Sequence, residues 1–325
     1  MKKYFRIRAV LNDDVKNEDF EMKHTKGFIT VATGKEEYYQ LAANLLRSYH
    51  LFCNNPLPFA ILADQKNAYT DKFDDVIVFP DGASHSYLDK LSLGEYLPYD
   101  INIFIDSDCL AFGDLNQLFD YFEDANDFSC FGRVLPLNDK TGWFEYENLG
   151  KLQKKVSYVV GLHGGIYYMR KGDMCRKIFE DAKSFVPDYP KFKFKGRFNT
   201  PGDEPLVALS MAVNGCHPIP FVLEAICCYW EHLDHMTIDL SKGMARVEEE
   251  PKYNAVLVHW GTRYTRQLEY QKQIELMRIR EEAGENQQKK IKKCKRHYGR
   301  LMTEEKIKKF VLRVKNKLKR TIGIQ

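Results

Sequence analysis

Four apolar runs in the first third of the chain constrain its fold more than any other feature. Residues 27–32 (GFITVA), 58–63 (PFAILA), 75–79 (DVIVF) and 101–105 (INIFI) are short and bounded by polar or turn-forming residues. Near-continuous apolar runs of this length read as strands buried on both faces. Between the first two, Tyr39, Ala42, Ala43, Leu46, Tyr49 and His50 recur at helical spacing within residues 36–50. Short strands alternating with helices predict an α/β fold with a mostly parallel sheet, covered by helices on both sides. Such sheets bind ligands beyond the carboxyl ends of their strands. Thr33, Asp64 and Asp106 all stand at those ends, so the pattern directs them to one rim.

Further along, residues 115–122 read as a helix, 128–134 as a strand, and 138–158 as an irregular loop near a second substrate. Residues 161–169 (GLHGGIYYM) read as one strand entered through glycine, and 192–202 as a basic loop. Residues 205–213 are helical and apolar, with Asp203 a candidate cap, and 255–259 (AVLVH) form a last short strand. From about Tyr264 the pattern is helical and charged. Thr303 is placed to cap a final helix, with Glu304 and Glu305 at its positive end.

The chain has 325 residues and is 44% hydrophobic, enough for a large core and against global disorder. None of its eight cysteines makes a CxxC or other zinc-ligand spacing, so they read as buried thiols in a reducing compartment. Residues 1–19 lack the apolar stretch of a signal peptide, and no run reaches the ~18 apolar residues of a membrane span. The expected location is cytoplasmic. The net charge of +4 is very uneven. Residues 289–320 hold 15 Lys and Arg against 2 Glu, while the rest of the chain holds 34 basic and 43 acidic residues. Ile307, Phe310, Val311, Val314 and Leu318 lay an apolar stripe along that basic segment. A basic amphipathic helix of this kind suits the anionic face of a membrane, and peripheral attachment there is the expectation. Nucleic acid is not expected, because the acidic body offers no continuing basic groove.

The strongest local signal is IFIDSDCLAFGDL, residues 103–115. Residues i and i+2 of a strand share a side, so Asp106 and Asp108 can face one ligand. Paired carboxylates beside phosphate oxygens are the usual setting for Mn²⁺ or Mg²⁺. The bland alternative is a turn with two solvated aspartates. In this setting the segment resembles the DxD region of GT-A-fold glycosyltransferases, particularly glycosyltransferase family 8. Other segments resemble that family in order across residues 27–265. They are Phe28 to Thr33 with Tyr38 and Tyr39, Asp64, YLDKLSLGEYL with Lys90, Gly164-Gly165-Ile166, Asp203-Glu204, and His259-Trp260-Gly261. There are departures. His163 stands where the family has Asn, Glu204 where Gln is more familiar, and Arg263 near the place of a lysine.

The resemblance implies a GT-A-type, Rossmann-like domain over 27–265, after an N-terminal extension (1–26) and before a basic helical extension (266–325). It implies sugar transfer from a nucleoside diphosphate sugar, a UDP-sugar, to a glycan or lipid-linked acceptor hydroxyl, with retention. Asp106, Asp108 and His259 would hold the metal. Thr33, Tyr38, Tyr39, Asp64, Lys90, Asp106, Ser107, Gly164, Gly165, Gly261 and Arg263 would contact the nucleotide sugar. Asp203 and Glu204 are the carboxylates nearest the reacting centre. Each has a plainer reading: Tyr38 and Tyr39 as packing, Lys90 as a surface lysine, His259 as a core-edge histidine. Two other classes compete. A nucleotidyltransferase should carry a Gly-rich N-terminal loop, which TVATGKEEYY lacks. A non-catalytic carbohydrate- or membrane-binding module has no need of Asp106, Asp108 and His259.

Overall fold

A computed structural model describes residues 25–80, 82–194, 201–282 and 284–322. Nearly all of the expected N-terminal extension, and residues 195–200 of the expected basic loop, lie outside these.

The four apolar runs become β1 (Lys26–Ala32), β2 (Phe59–Ala63), β3 (Asp75–Val78) and β4 (Ile101–Ile105). The helix between the first two is α1 (Glu36–Phe52). After β4 come β5 (Cys109–Ala111), α2 (Leu118–Tyr121), β6 (Phe128–Ser129), β7 (Gly132–Leu135), β8 (Val159–Leu162) and β9 (Ile166–Arg170). Six strands form the main sheet in the order β3-β2-β1-β4-β9-β6. β3, β2, β1 and β4 are parallel; β9 runs against both β4 and β6, so it alone is reversed. The mostly parallel α/β sheet expected from the sequence is the one observed.

Side-chain alternation sends Ile29, Leu62 and Phe104 into one apolar layer and Phe28, Ile61 and Ile103 into the other. The first layer is closed by α3 (Asp173–Ser184), α4 (Tyr189–Phe192) and α5 (Asp203–Asn214), the second by α1. This double cover is why all five β2 residues are buried.

A second, three-stranded sheet meets the rim of the first. It orders β10 (Ile226–Cys228), β14 (Leu257–His259) and β5, with β10 parallel and β5 antiparallel to β14. The chain therefore leaves β4, turns through Asp106-Ser107-Asp108, and enters another sheet at once. β11 (Met236–Asp239), β12 (Met244–Val247) and β13 (Tyr253–Asn254) form a small antiparallel sheet beside it.

α6 (Leu268–Glu281) packs on this body. Tyr270 meets Trp260 edge-on, and buried Gln273 accepts from the Leu240 N–H and donates to the Ile238 carbonyl. α7 (Gln287–Ile322) begins against α6 through Ile291 and Cys294, while Ile307, Phe310 and Val311 stand exposed. Among the described residues, no helix is long and apolar enough to cross a membrane.

Four expectations are corrected. Residues 128–134 are not one strand: β6 pairs with β9 in the main sheet, and β7 pairs with β8 outside it. Thr303 is not a cap, because α7 runs through it and its hydroxyl donates back to the Gly299 carbonyl (2.9 Å). Residues 161–169 are not one strand: β8 pairs with β7, β9 joins the main sheet, and His163-Gly164-Gly165 turns between them. Asp203 makes no cap bond; it is the first residue of α5, and its carboxylate points at Lys90.

Candidate functional site

The rim carries two groups of polar side chains. The first is centred on the turn after β4. The Asp106 N–H donates to the Gly165 carbonyl (3.0 Å) and the Trp260 N–H to the Asp108 carbonyl (3.1 Å), which fixes the turn from both sides. Asp108 Oδ1 lies 3.0 Å from His259 Nε2, and Asp106 Oδ2 lies 3.7 Å from the same nitrogen. The Thr262 hydroxyl donates to Asp108 Oδ2 (3.3 Å). Lys90 Nζ is 2.7 Å from Asp106 Oδ1 and 3.1 Å from Asp203 Oδ2, which also accepts from the Tyr167 hydroxyl at 3.2 Å. Glu204, next on α5, accepts from the Gly164 N–H (2.8 Å).

Small residues are needed where these groups crowd together. A Cβ on Gly164 would lie 2.3 Å from Glu204 Cγ, and one on Gly165 would lie 2.6 Å from the His163 ring and 2.9 Å from His259 Nδ1. The two glycines let the β8–β9 turn press against the carboxylates and imidazoles.

The charges are strongly linked. Burial raises Asp106 above the usual carboxylate range against the pull of Lys90. Burial also works to raise Asp108, but the positive charge and hydrogen bond of His259 outweigh it and hold Asp108 low. His259 is raised because Asp108 and Asp106 overcome its desolvation. Desolvation opposes the Lys90 charge too, yet Asp106 and Asp203 keep it firmly protonated. His163 is held down at about 3 by burial and by the charges of His259 and Lys90, so it is a neutral ring.

Asp108 and His259 are spaced to share a divalent cation, with the Asp106 carboxylate beside them. Ligand atoms about 3.0 Å apart span a cis edge of an octahedron with bonds of about 2.1 Å. The Asp108–His259 separation has that value; Asp106 Oδ2 stands farther off, 3.7 Å from the same nitrogen, with its carboxylate held by Lys90.

The second group sits at the ends of β1 and β2. The Thr33 hydroxyl donates to Asp89 (2.6 Å), which also accepts from Ser84. Asp64 accepts from the Gly34 N–H (3.1 Å) and the Tyr39 hydroxyl, and pairs with His85 (2.9 Å). Tyr39 is corrected here: its ring is only 1% exposed, so it has no face for a base and anchors Asp64 instead. Tyr38 is half-buried between two apolar layers. Ser107 is partly exposed at the tip of the turn after β4.

No family model matches the chain, and no curated protein matches it. Solved structures resemble it at low identity. The galactosyltransferase LgtC, in complex with donor and acceptor sugar analogs, is 14% identical with a TM-score of 0.49, over 81% of this chain and 99% of that one. Mouse xyloside xylosyltransferase 1 is 10% identical with a TM-score of 0.43, over 74% and 98%. The glycosyltransferase GlyE of Streptococcus pneumoniae TIGR4 is 15% identical with a TM-score of 0.37, over 60% and 45%.

The structure thus brings Lys90, Asp106, Asp108, Gly164, Gly165, Asp203, Glu204 and His259 into one cluster. Gly261, at φ +68°, turns the chain under the Trp230 ring just beyond it. Arg263 is exposed, with its guanidinium over the Tyr264 ring. Sequence reasoning did not single out Thr262, Asp89, His85, Cys228 or Trp230, whose ring meets His259 edge-on at 5.0 Å. A polar residue three beyond His259 was a signal for Thr262; the others show none. Beside the cluster lies a cavity of about 630 Å³ whose lining includes Trp143, His163, Phe221, Cys228, Glu231 and Tyr253.

Proposed function

We propose that the chain is a metal-dependent glycosyltransferase of the GT-A type, similar to family 8. It transfers a sugar from a nucleoside diphosphate sugar, a UDP-sugar, to a glycan or lipid-linked hydroxyl with retention. The observation that carries this reading is the convergence of Asp106, Asp108 and His259 beside Lys90 at the carboxyl end of β4. Two carboxylates and one imidazole are a suitable ligand set for Mn²⁺ or Mg²⁺. When bound, such a cation offsets diphosphate charge and stabilises the leaving nucleoside diphosphate.

The chain's own residues do the rest. Lys90 is a permanently charged, largely desolvated ammonium, suited to a diphosphate oxygen once Asp106 engages a cation. Thr33, Tyr38, Asp64 and the glycine turn after β1 form the nucleoside end. Gly164 and Gly165 let the sugar approach closely, and Ser107, Gly261 and Arg263 border it. Asp203 and Glu204 are the carboxylates nearest the reacting carbon. Asp203 is held by Lys90 and Tyr167, which fixes its direction. The cavity beside His163 receives the acceptor, with aromatic rings for sugar faces and carboxylates for hydroxyls. The exposed Ile307, Phe310 and Val311 on a basic helix bring the enzyme to an anionic membrane surface.

A panel of nucleotide sugars, with and without Mn²⁺, tests the reading. Wild type should hydrolyse one UDP-sugar only with metal, and Asp108→Asn should lose more than about 100-fold. Equal rates in the two proteins would remove Asp108 from the site, and no turnover across the panel would overturn the donor assignment.

A further inference from the structure

His259 has two ring nitrogens, and they face different chemistry. Nε2 faces the carboxylates of Asp106 and Asp108. Nδ1 faces a nitrogen and sulfur pair: His163 Nε2 is 3.3 Å away, and that atom lies 3.0 Å from Cys228 Sγ. The three atoms sit within 4.8 Å of one another. Strand register explains the meeting. Cys228 and His259 are direct partners on parallel β10 and β14, so both side chains leave the same face, and the β8–β9 turn lowers His163 onto them.

We propose that His163, Cys228 and His259 form a second metal site, for a thiophilic cation of the Zn²⁺ class, which excludes the metal proposed at Asp106 and Asp108. Zn–N bonds of about 2.0–2.1 Å and a Zn–S bond of about 2.3 Å in a tetrahedron place nitrogens about 3.3 Å apart and nitrogen from sulfur about 3.6 Å apart. The two histidines already have that spacing, and Cys228 has to withdraw by about half an ångström. The fourth position opens toward the 630 Å³ cavity, which His163 and Cys228 both line and which gives the cation a route in.

The outer contacts favour the same site. With Nδ1 on the cation, His259 keeps its proton on Nε2 and donates to Asp108 Oδ1 at 3.0 Å, the usual carboxylate support of a ligating histidine. Cys228 releases its thiol proton to solvent. His163 carries its proton on Nδ1 and gives up the 3.2 Å bond from the Gly165 N–H. One neutral imidazole has a single lone pair, so His259 cannot serve both nitrogens at once. A thiophilic cation at Nδ1 therefore withdraws His259 from the oxygen-rich site.

Metal-stripped, full-length protein titrated with Co²⁺ tests this without any sugar donor. The expected result is a near-ultraviolet thiolate-to-cobalt charge-transfer band, removed by one equivalent of Zn²⁺. Asp106→Asn should keep the band, whereas Cys228→Ser and His163→Gln should lose it. Zn²⁺ should also inhibit Mn²⁺-dependent donor hydrolysis, with at least tenfold less potency on Cys228→Ser. No band in wild type overturns the proposal, whatever the variants do. A band that Cys228→Ser retains, or that Asp106→Asn abolishes, overturns it by placing the cation elsewhere. Failure of all sugar donors alongside a normal cobalt band would sink the transferase reading and leave this one standing.

Discussion

Lys90 joins the two acidic elements of the site, and its removal has a calculable consequence. Its ammonium lies 2.7 Å from Asp106 and 3.1 Å from Asp203, with little exposure on any of the three. At an effective dielectric near 20, these contacts are worth about 6 and about 5 kcal/mol in gross Coulomb energy. Most of that is offset by the cost of desolvating the charges. Breaking a buried pair from one side nevertheless costs about 3–5 kcal/mol, because the partners are left uncompensated. Lys90→Met, which keeps most of the stem, should therefore lower the melting temperature in EDTA by about 6–10 °C, taking about 2 °C per kcal/mol for a chain of this size. Saturating Mn²⁺ should raise the variant's melting temperature more than wild type's, since a cation then supplies the charge Asp106 has lost. Lys90→Met/Asp203→Asn should recover part of the loss. Differential scanning fluorimetry with and without metal measures all of this. A Lys90→Met protein melting within about 2 °C of wild type in EDTA would refute the bridging role.

Gly165→Ala places a methyl against the His163 and His259 rings and should cost about 1–3 kcal/mol, with weaker Mn²⁺ binding by titration calorimetry; His163→Ala should restore part of both. His163 stays neutral to about pH 3 when folded, while the unfolded ring takes a proton near 6.5. Its contribution is thus fully present above pH 6.5 and is lost as pH falls toward 3, at up to about 1.4 kcal/mol per unit. His259 is shifted the opposite way, so its term is present below pH 6.5 and lost as pH rises through its folded value. His163→Gln should accordingly show a shallower fall in melting temperature between pH 6 and pH 4, and parallel curves would contradict that assignment. Truncation after Gly299 removes nine lysines and arginines but spares Ile291 and Cys294, which pack on α6. It should release the protein from anionic vesicles in a sedimentation assay while leaving donor hydrolysis intact, and undiminished vesicle binding would exclude the tail as the anchor.

What the sequence made legible was local. The runs at 27–32, 58–63, 75–79 and 101–105 announce buried strands by themselves, and alternation alone puts Asp106 and Asp108 on one side. What it hid depends on distant partners. Residues 161–169 look like one strand because each half is apolar, and only pairing with β7 on one side and β4 on the other divides them. Asp203 carries every local sign of a helix cap, yet a lysine over a hundred residues earlier claims its carboxylate. Tyr39 has the spacing of either a packing or an exposed ring, and the depth of α1 decides for packing. Thr303 shows that a cap signal is outvoted when the preceding turn is itself stable helix.

The pairing of β5 with β14 also bears on the order of events as the chain is made. Asp106 and Asp108 precede β5, whereas His259 ends β14, its register partner about 150 residues later. Contacts so far apart in sequence form late, because a long loop must close before they return any stability. A ribosome-bound chain that has not yet released Leu257 holds both aspartates and Lys90 but not His259. On the proposed function, metal uptake would then mark the end of folding, and a cation held at this site would report a finished molecule.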